Sequence, residues 1–227
     1  MNNPVSKVDN PAGCGRPVVG IFAKEPVSGK VKTRLCPPLT PSQAAELSRV
    51  ALAETVDVMR GGPFELVLFY DGCHEYFAST FPGLPLIPQG AGDLGSRMDR
   101  ALAGLLAGGC RAAALIGSDS PDLPRERVAT ALDALGEIEA VTVPSDDGGY
   151  VLIGANRPCP ELFRGIAWST SSVLDETRQR AIAAEISYRE LPGWEDVDDW
   201  PSLSRLCRRS PASRTARYAA SLPVSPP

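Results

Sequence analysis

The sequence predicts a three-layer α/β fold on a mostly parallel sheet. Short apolar runs alternate with stretches of helical periodicity, the pattern of strands joined by crossover helices. The runs end in polar, glycine- or proline-containing loops, which is where strands stop. At 227 residues, 43% hydrophobic and 22% charged, the chain has the size and balance of a soluble globular domain with a sizeable core. We expect a flexible tail over 1–16, one domain over 17–207, and a weakly ordered tail rich in Arg, Ser and Pro over 208–227.

The first run, Val18 to Phe22, has the length and β-branched content of a buried strand. Thr40-Pro-Ser-Gln43 then fits a capping box with proline at the first helical position, and Ala44, Leu47, Ala51, Val58 and Met59 recur at helical spacing. A helix is therefore predicted over 41–60, stopped by Gly61-Gly62-Pro63. Glu65 to Tyr70 reads as a second strand. A looser region from His74 to Gln89 contains a short strand at 84–87. Gly90 to Met98 leads into a helix that ends at Gly108-Gly109. Ala112 to Gly117 is the next strand, followed by a helix over 125–135. Strands at 140–144 and 150–154, a helix over 171–185, a strand over 186–191 and a short helix over 201–207 complete the pattern.

The loop after the first strand carries four cations in eleven residues, Lys24, Lys30, Lys32 and Arg34, with Pro26 and Gly29 bending the backbone between them. In open α/β sheets ligands bind beyond the carboxyl ends of strands, where such side chains meet phosphate oxygens as charge-assisted donors. The alternative is a solvated basic loop. A Walker loop is excluded, because Gly29-Lys30 is followed by Val31 and Gly20 lies too far upstream. Gly-x-Gly-x-x-Gly is also missing from the first strand–helix turn, against a dinucleotide-binding fold. Gly90-Ala-Gly92-Asp93-Leu94-Gly95 precedes a helix start, so it is either a backbone approach to a ligand or a plain loop.

Three acidic pairs follow later strands: Asp119 with Asp122, Asp146 with Asp147, and Asp196 with Asp198. Asp122 also stands where it could cap the helix at 125. Carboxylates gathered on one rim need a compensating charge. Mg²⁺ or Mn²⁺ supplies it, held by one or two carboxylates and by substrate phosphates. The pattern suggests a metal-bound nucleotide or phosphate ester between lysines and aspartates. Zinc is excluded by cysteine and histidine spacing. The six cysteines form no C-x-x-C pair, and with no signal-peptide core we expect reduced thiols and a cytoplasmic protein. The single histidine, His74, rules out any two-histidine mechanism. A net charge of −4 gives no drive toward nucleic acid, and no apolar run reaches the roughly 20 residues needed to span a bilayer.

Six motifs in order carry a resemblance. They are Phe22-Ala-Lys24-Glu-Pro-Val-Ser-Gly29-Lys30-Val-Lys32-Thr33-Arg34-Leu35, Gly92-Asp93-Leu94-Gly95-Ser-Arg97-Met98 and Ile116-Gly-Ser-Asp119-Ser-Pro-Asp122-Leu123. The others are Asp147-Gly148-Gly149-Tyr-Val-Leu-Ile-Gly154, Trp168-Ser-Thr170 and Asp196-Val-Asp198. Over roughly 18–206 the chain resembles the GT-A-fold glycosyltransferase family of the arsenosugar-biosynthesis type, formerly a family of unknown function. More distantly it is similar to molybdenum-cofactor and phospholactate guanylyltransferases of the same nucleotide-diphospho-sugar transferase fold.

The resemblance implies a metal-dependent glycosyltransferase acting on a nucleotide-sugar and a small-molecule acceptor. The alternative it implies is a nucleotidyltransferase moving a nucleotide from a nucleoside triphosphate to a phosphorylated small molecule. It implies that Asp119 binds Mg²⁺ or Mn²⁺, with Asp198 completing the metal site and Asp196 beside it. Lys24, Lys30, Lys32, Thr33 and Arg34 would meet the nucleotide phosphates, and Gly92, Asp93, Leu94 and Gly95 the base or ribose. Asp147 or Asp146 would be the catalytic base, and Gly148, Gly149, Trp168 and Thr170 would bind sugar or acceptor. Two departures stand out: Asp199-Trp200 replaces the usual Thr-Pro, and Asp119-Ser-Pro-Asp122 replaces a strict Asp-x-Asp.

Overall fold

A computed structural model describes residues 15–224. The expectations for residues 1–14 and 225–227 lie outside the described residues. The chain runs β1 (Val18–Lys24), α1 (Pro41–Met59), β2 (Glu65–Asp71), α2 (His74–Thr80), β3 (Leu86–Pro88), α3 (Leu94–Ala107) and β4 (Ala113–Gly117). It continues through α4 (Arg125–Ala134), β5 (Ala140–Pro144), β6 (Tyr150–Ala155), α5 (Val173–Ala183), β7 (Tyr188–Glu190), α6 (Trp200–Arg209) and α7 (Arg214–Ala220).

The seven strands form one sheet in the order β3-β2-β1-β4-β6-β5-β7. Every pairing is parallel except the two made by β6, which runs antiparallel to β4 and β5. The fold is thus the expected α/β sandwich. Alternation along β1 divides its side chains between two cores. Val19, Ile21 and Ala23 pack with Leu52 and Val56 of α1, Phe77 of α2 and Leu132 of α4. Val18 packs on the opposite side with Met98, Leu102 and Leu105 of α3 and Ala181 of α5. Side chains of period 2 on the strands meet apolar stripes of period 3.6 on the helices, and this produces the three layers.

The capping box of α1 is present as read from the sequence: the Gln43 amide donates to Thr40 Oγ1 at 3.3 Å, and the Thr40 amide donates to Gln43 Oε1 at 2.8 Å. Two differences concern short helices. The region from His74 to Gln89 contains α2, which buries Phe77 and has no side-chain cap. The C-terminal stretch, expected to be weakly ordered, carries α7, which docks on α1. There the buried Glu54 accepts hydrogen bonds from the Arg214 amide (2.7 Å), the Thr215 amide (2.8 Å) and the Thr215 hydroxyl (2.6 Å). A carboxylate at a helix start meets free N–H groups and the positive end of the dipole. The face α7 buries consists of Thr215, Ala216 and Ala219, too small to give an apolar signal in the sequence. Among the described residues no helix is long and apolar enough to cross a membrane.

Strand order explains where a ligand can sit. From β1 the chain moves outward through β2 and β3, then returns to place β4 on the other side of β1. The loops after β1 and β4 therefore diverge, leaving a crevice at their carboxyl ends. Because β6 is antiparallel, the turn between β5 and β6 opens on this same rim.

Candidate active site

The crevice is a cleft of about 920 Å³. One wall is the loop after β1, with Lys24, Lys30, Lys32, Thr33 and Arg34. The other is made by Asp119 after β4, Asp147 and Gly149 from the β5–β6 turn, and Asp196 and Asp198 after β7. Leu94, Trp168 and Thr170 line it as well. Basic loop and acidic residues thus share one cavity.

The two walls are not independent. Lys32 takes a left-handed backbone conformation (φ 50°), and its ammonium lies 2.5 Å from Asp119 Oδ1. The same ammonium donates to the Val197 carbonyl, while the Val197 amide donates to the Asp119 carbonyl at 2.8 Å. Only 5% of the Lys32 side chain is exposed, against 50% for Asp119. Arg34, further out, donates to Asp198 Oδ2 at 2.5 Å. Lys24 and Lys30 are exposed and have no acidic partner among the described residues.

The acidic wall carries excess charge. Burial, and then repulsion from Asp147 and Asp119, pushes the Asp196 carboxyl up to about 6, with Lys32 opposing the shift. Asp119 and Asp147 thus both act on Asp196, and among the cations Lys32 is the one that opposes them. Among the described residues no three acidic, histidine or cysteine side chains are gathered closely enough to cage a metal by themselves. The donor set fits Mg²⁺ or Mn²⁺ held the way Mg²⁺ is often held, on one or two carboxylates with remaining ligands from water and phosphate.

Asp147 accepts from the Ser145 hydroxyl and from the Gly149 amide, the latter at 2.9 Å. Asp146, its sequence neighbour, is exposed and does not line the cleft.

Several residues read as ligand contacts have other duties. Asp93 caps α3 by accepting the Ser96 amide at 2.8 Å, and the Gly92 carbonyl accepts Arg97 Nε at 2.9 Å. Gly95 is buried beneath the Trp168 indole: a Cβ there would lie 2.5 Å from its ring atoms. Gly148 (φ 87°) faces the Ser171 carbonyl, 2.1 Å from where a Cβ would be. The two glycines seat the 168–171 loop at the cleft mouth, and its position requires both. Thr170 is also used within that loop, donating to the Ala167 carbonyl at 2.7 Å.

Among the cleft residues that escaped the sequence reading are Asp71 and Gln89. Asp71, at the end of β2, is held by Arg97 at 3.2 Å. Gln89 is buried, and its amide donates to the carbonyls of Phe69 (3.0 Å) and Ala23 (3.2 Å). The position of Asp71 after an apolar strand was the available signal. Gln89 gave none.

A family model described as "Uncharacterized protein conserved in bacteria (DUF2064)" matches residues 55–170, half of the chain. The chain belongs to this family. A crystal structure from Desulfovibrio desulfuricans G20, provisionally assigned as a nucleotide-diphospho-sugar transferase, is similar with a TM-score of 0.85 and 32% identity. The match covers 90% of this chain and 94% of that one. Rv0371c from Mycobacterium tuberculosis H37Rv, solved as a manganese complex, matches with a TM-score of 0.53 at 17% identity, over 86% of this chain and 100% of that one. CMP:2-keto-3-deoxy-manno-octonic acid synthetase, solved with CTP, matches with a TM-score of 0.55 at 12% identity, over 87% and 99%. At such identities the last two share the fold alone. No curated protein matches the chain. The DUF2064 chain thus has the nucleotide-diphospho-sugar transferase fold, as the motif order predicted.

Proposed function

We propose that this transferase moves a glycosyl group from a nucleotide-diphosphate sugar to the hydroxyl of a small-molecule acceptor, with Mg²⁺ or Mn²⁺ at Asp119. The observation that supports this most is the pairing across the crevice: a basic loop after β1 faces Asp119 after β4, so one diphosphate can be gripped from both sides. Asp119 would hold the cation with Asp198 or Asp196 beside it, both of which line the cleft, and Asp198 also holds Arg34. Bound there, the cation would act as a Lewis acid toward the diphosphate leaving group.

Lys24 and Lys30, free of acidic partners among the described residues, would meet the phosphate oxygens and place fixed positive charge where negative charge develops. Asp147 is the better candidate for the base, since it lines the cleft and Asp146 does not. In an inverting transfer its carboxylate would take the proton from the acceptor hydroxyl as that oxygen bonds to the anomeric carbon. The bond from that carbon to the diphosphate oxygen breaks, and the nucleoside diphosphate leaves. Trp168 and the 168–171 loop would bound the acceptor side.

Nucleotidyl transfer is the second reading, supported by a fold shared with a synthetase solved with CTP. There a phosphorylated acceptor would attack the α-phosphate of a nucleoside triphosphate and release pyrophosphate. Incubation with UDP-, GDP- and dTDP-sugars, or with nucleoside triphosphates and phosphorylated acceptors, separates the two when products are followed by ³¹P NMR. Metal-dependent nucleoside diphosphate release supports the proposal. Pyrophosphate release with a nucleotide-linked product would replace it with the second reading.

A further inference from the structure

Lys32 does not behave like the other cations of its loop. Lys24 and Lys30 are exposed, whereas the Lys32 side chain is almost wholly covered and donates to both Asp119 and the Val197 carbonyl. Its backbone sits in the left-handed region, which a lysine enters at some cost and keeps only when its surroundings hold it. The holding contacts are identifiable. The ammonium is tied to Asp119 and the 196–198 segment, and the Lys32 carbonyl accepts the Leu35 amide at 3.0 Å to start a short 3₁₀ turn, Thr33–Leu35. Its ammonium is therefore already engaged on the acidic side of the cleft.

Asp119 is also the carboxylate on which the proposed metal depends. A dication coordinated by Asp119 would lie within a few ångströms of the Lys32 ammonium, and in a partly buried site their repulsion is poorly screened.

We propose that Lys32 is a built-in competitor of the divalent cation: its ammonium holds Asp119 while the site lacks metal, and metal binding expels it. This rests on the metal site of the proposed function and adds an order of events to it. Expulsion breaks the link to Val197 and frees a third lysine on the phosphate side of the cleft. Metal arrival thereby raises the positive charge available to the diphosphate, and a diphosphate that attracts Lys32 eases metal entry. The two ligands are coupled through one side chain, and the lysine lowers the affinity of the nucleotide-free protein for metal.

Mn²⁺ binding to the nucleotide-free protein, followed by electron paramagnetic resonance, tests the idea without any turnover. Lys32→Met should bind Mn²⁺ roughly tenfold more tightly or better than the parent, as the competing charge is gone. Lys32→Arg should stay near the parent. Lys30→Met controls for general loss of positive charge and should change affinity much less, because Lys30 does not touch Asp119. Equal shifts in Lys32→Met and Lys30→Met, or no shift in Lys32→Met, would overturn the proposal and leave the transferase reading standing. Failure of every form to bind Mn²⁺, with or without nucleotide, would overturn it together with the metal site. A second measurement needs no variant. Acylation of lysines in the parent, read by mass spectrometry with Lys24 and Lys30 as internal references, should show Lys32 protected without metal and reactive once Mg²⁺ alone is added. Unchanged protection under saturating Mg²⁺ counts against expulsion.

Discussion

Asp119 and Asp122 lie three residues apart in one loop after β4, and their fates are opposite. Asp119 is half exposed, points into the cleft and has a lysine partner beside a charged neighbourhood. Asp122 has a side chain only 5% exposed and is fully engaged. It accepts from Arg209 Nε at 2.7 Å and from a second Arg209 nitrogen at 3.0 Å, from Ser210 Oγ at 2.7 Å and from Trp194 Nε1 at 3.3 Å. The Trp194 ring in turn has the guanidinium groups of Arg127 and Arg209 over it, 4.8 and 5.5 Å from its centroid. Asp122 fastens the end of α6 to the sheet, and α4 begins without it, on Pro124. A carboxylate whose oxygens are all satisfied inside the protein is architecture. One left with open coordination toward a cavity is free for chemistry.

This contrast can be broken at either end. The largest effect is expected from Asp119→Asn, which should lower kcat/KM by at least about a hundredfold, in line with losing a main electrostatic contact to the transition state. Its denaturation midpoint should fall as well, since the covered Lys32 ammonium loses its carboxylate and keeps only the Val197 carbonyl, but turnover per folded molecule should fall far more. A large fall in stability with intact turnover would reverse the assignment. Asp122→Asn should do the opposite, costing on the order of 3 kcal/mol in chemical denaturation because it strips a charge partner from the partly buried Arg209. Turnover per folded molecule should hold.

Gly148→Ala comes next, combining a positive φ with a Cβ 2.1 Å from the Ser171 carbonyl. It should cost about 1–3 kcal/mol, typical of overpacking, and raise KM for the acceptor as the 168–171 loop shifts. Unaltered stability would mean that the loop is not seated there. The smallest change is expected from Lys30→Ala: a few-fold higher KM for the nucleotide substrate, about 1 kcal/mol or less, shrinking further as salt is added. Denaturation curves of that variant should overlay those of the parent.

The same comparison shows what was legible beforehand. The α/β alternation, the α1 capping box, the basic loop and Asp119 as a cleft carboxylate all followed from local patterns. So did the presence of acidic residues after successive strands. The short helices α2 and α7 did not. α2 has no side-chain cap and buries one aromatic side chain, and α7 buries only small residues against Glu54, 160 positions away from the amide of Arg214. Nor were the duties of the glycines legible. Gly95 and Gly148 look like backbone cleared for a ligand, yet the space beside them is filled by the Trp168 indole and the Ser171 carbonyl.

What the sequence determined by itself was which side chains are delivered to one rim, because strand ends and loop composition are local and parallel strands joined by crossovers end at the same edge. The tertiary structure alone decided how those side chains pair. Lys32 meets the Val197 carbonyl across 165 positions and Asp122 meets Arg209 across 87. Charge pairing falls off within a few ångströms, so it depends on which segments the sheet order brings together, and no neighbouring residues encode that distance.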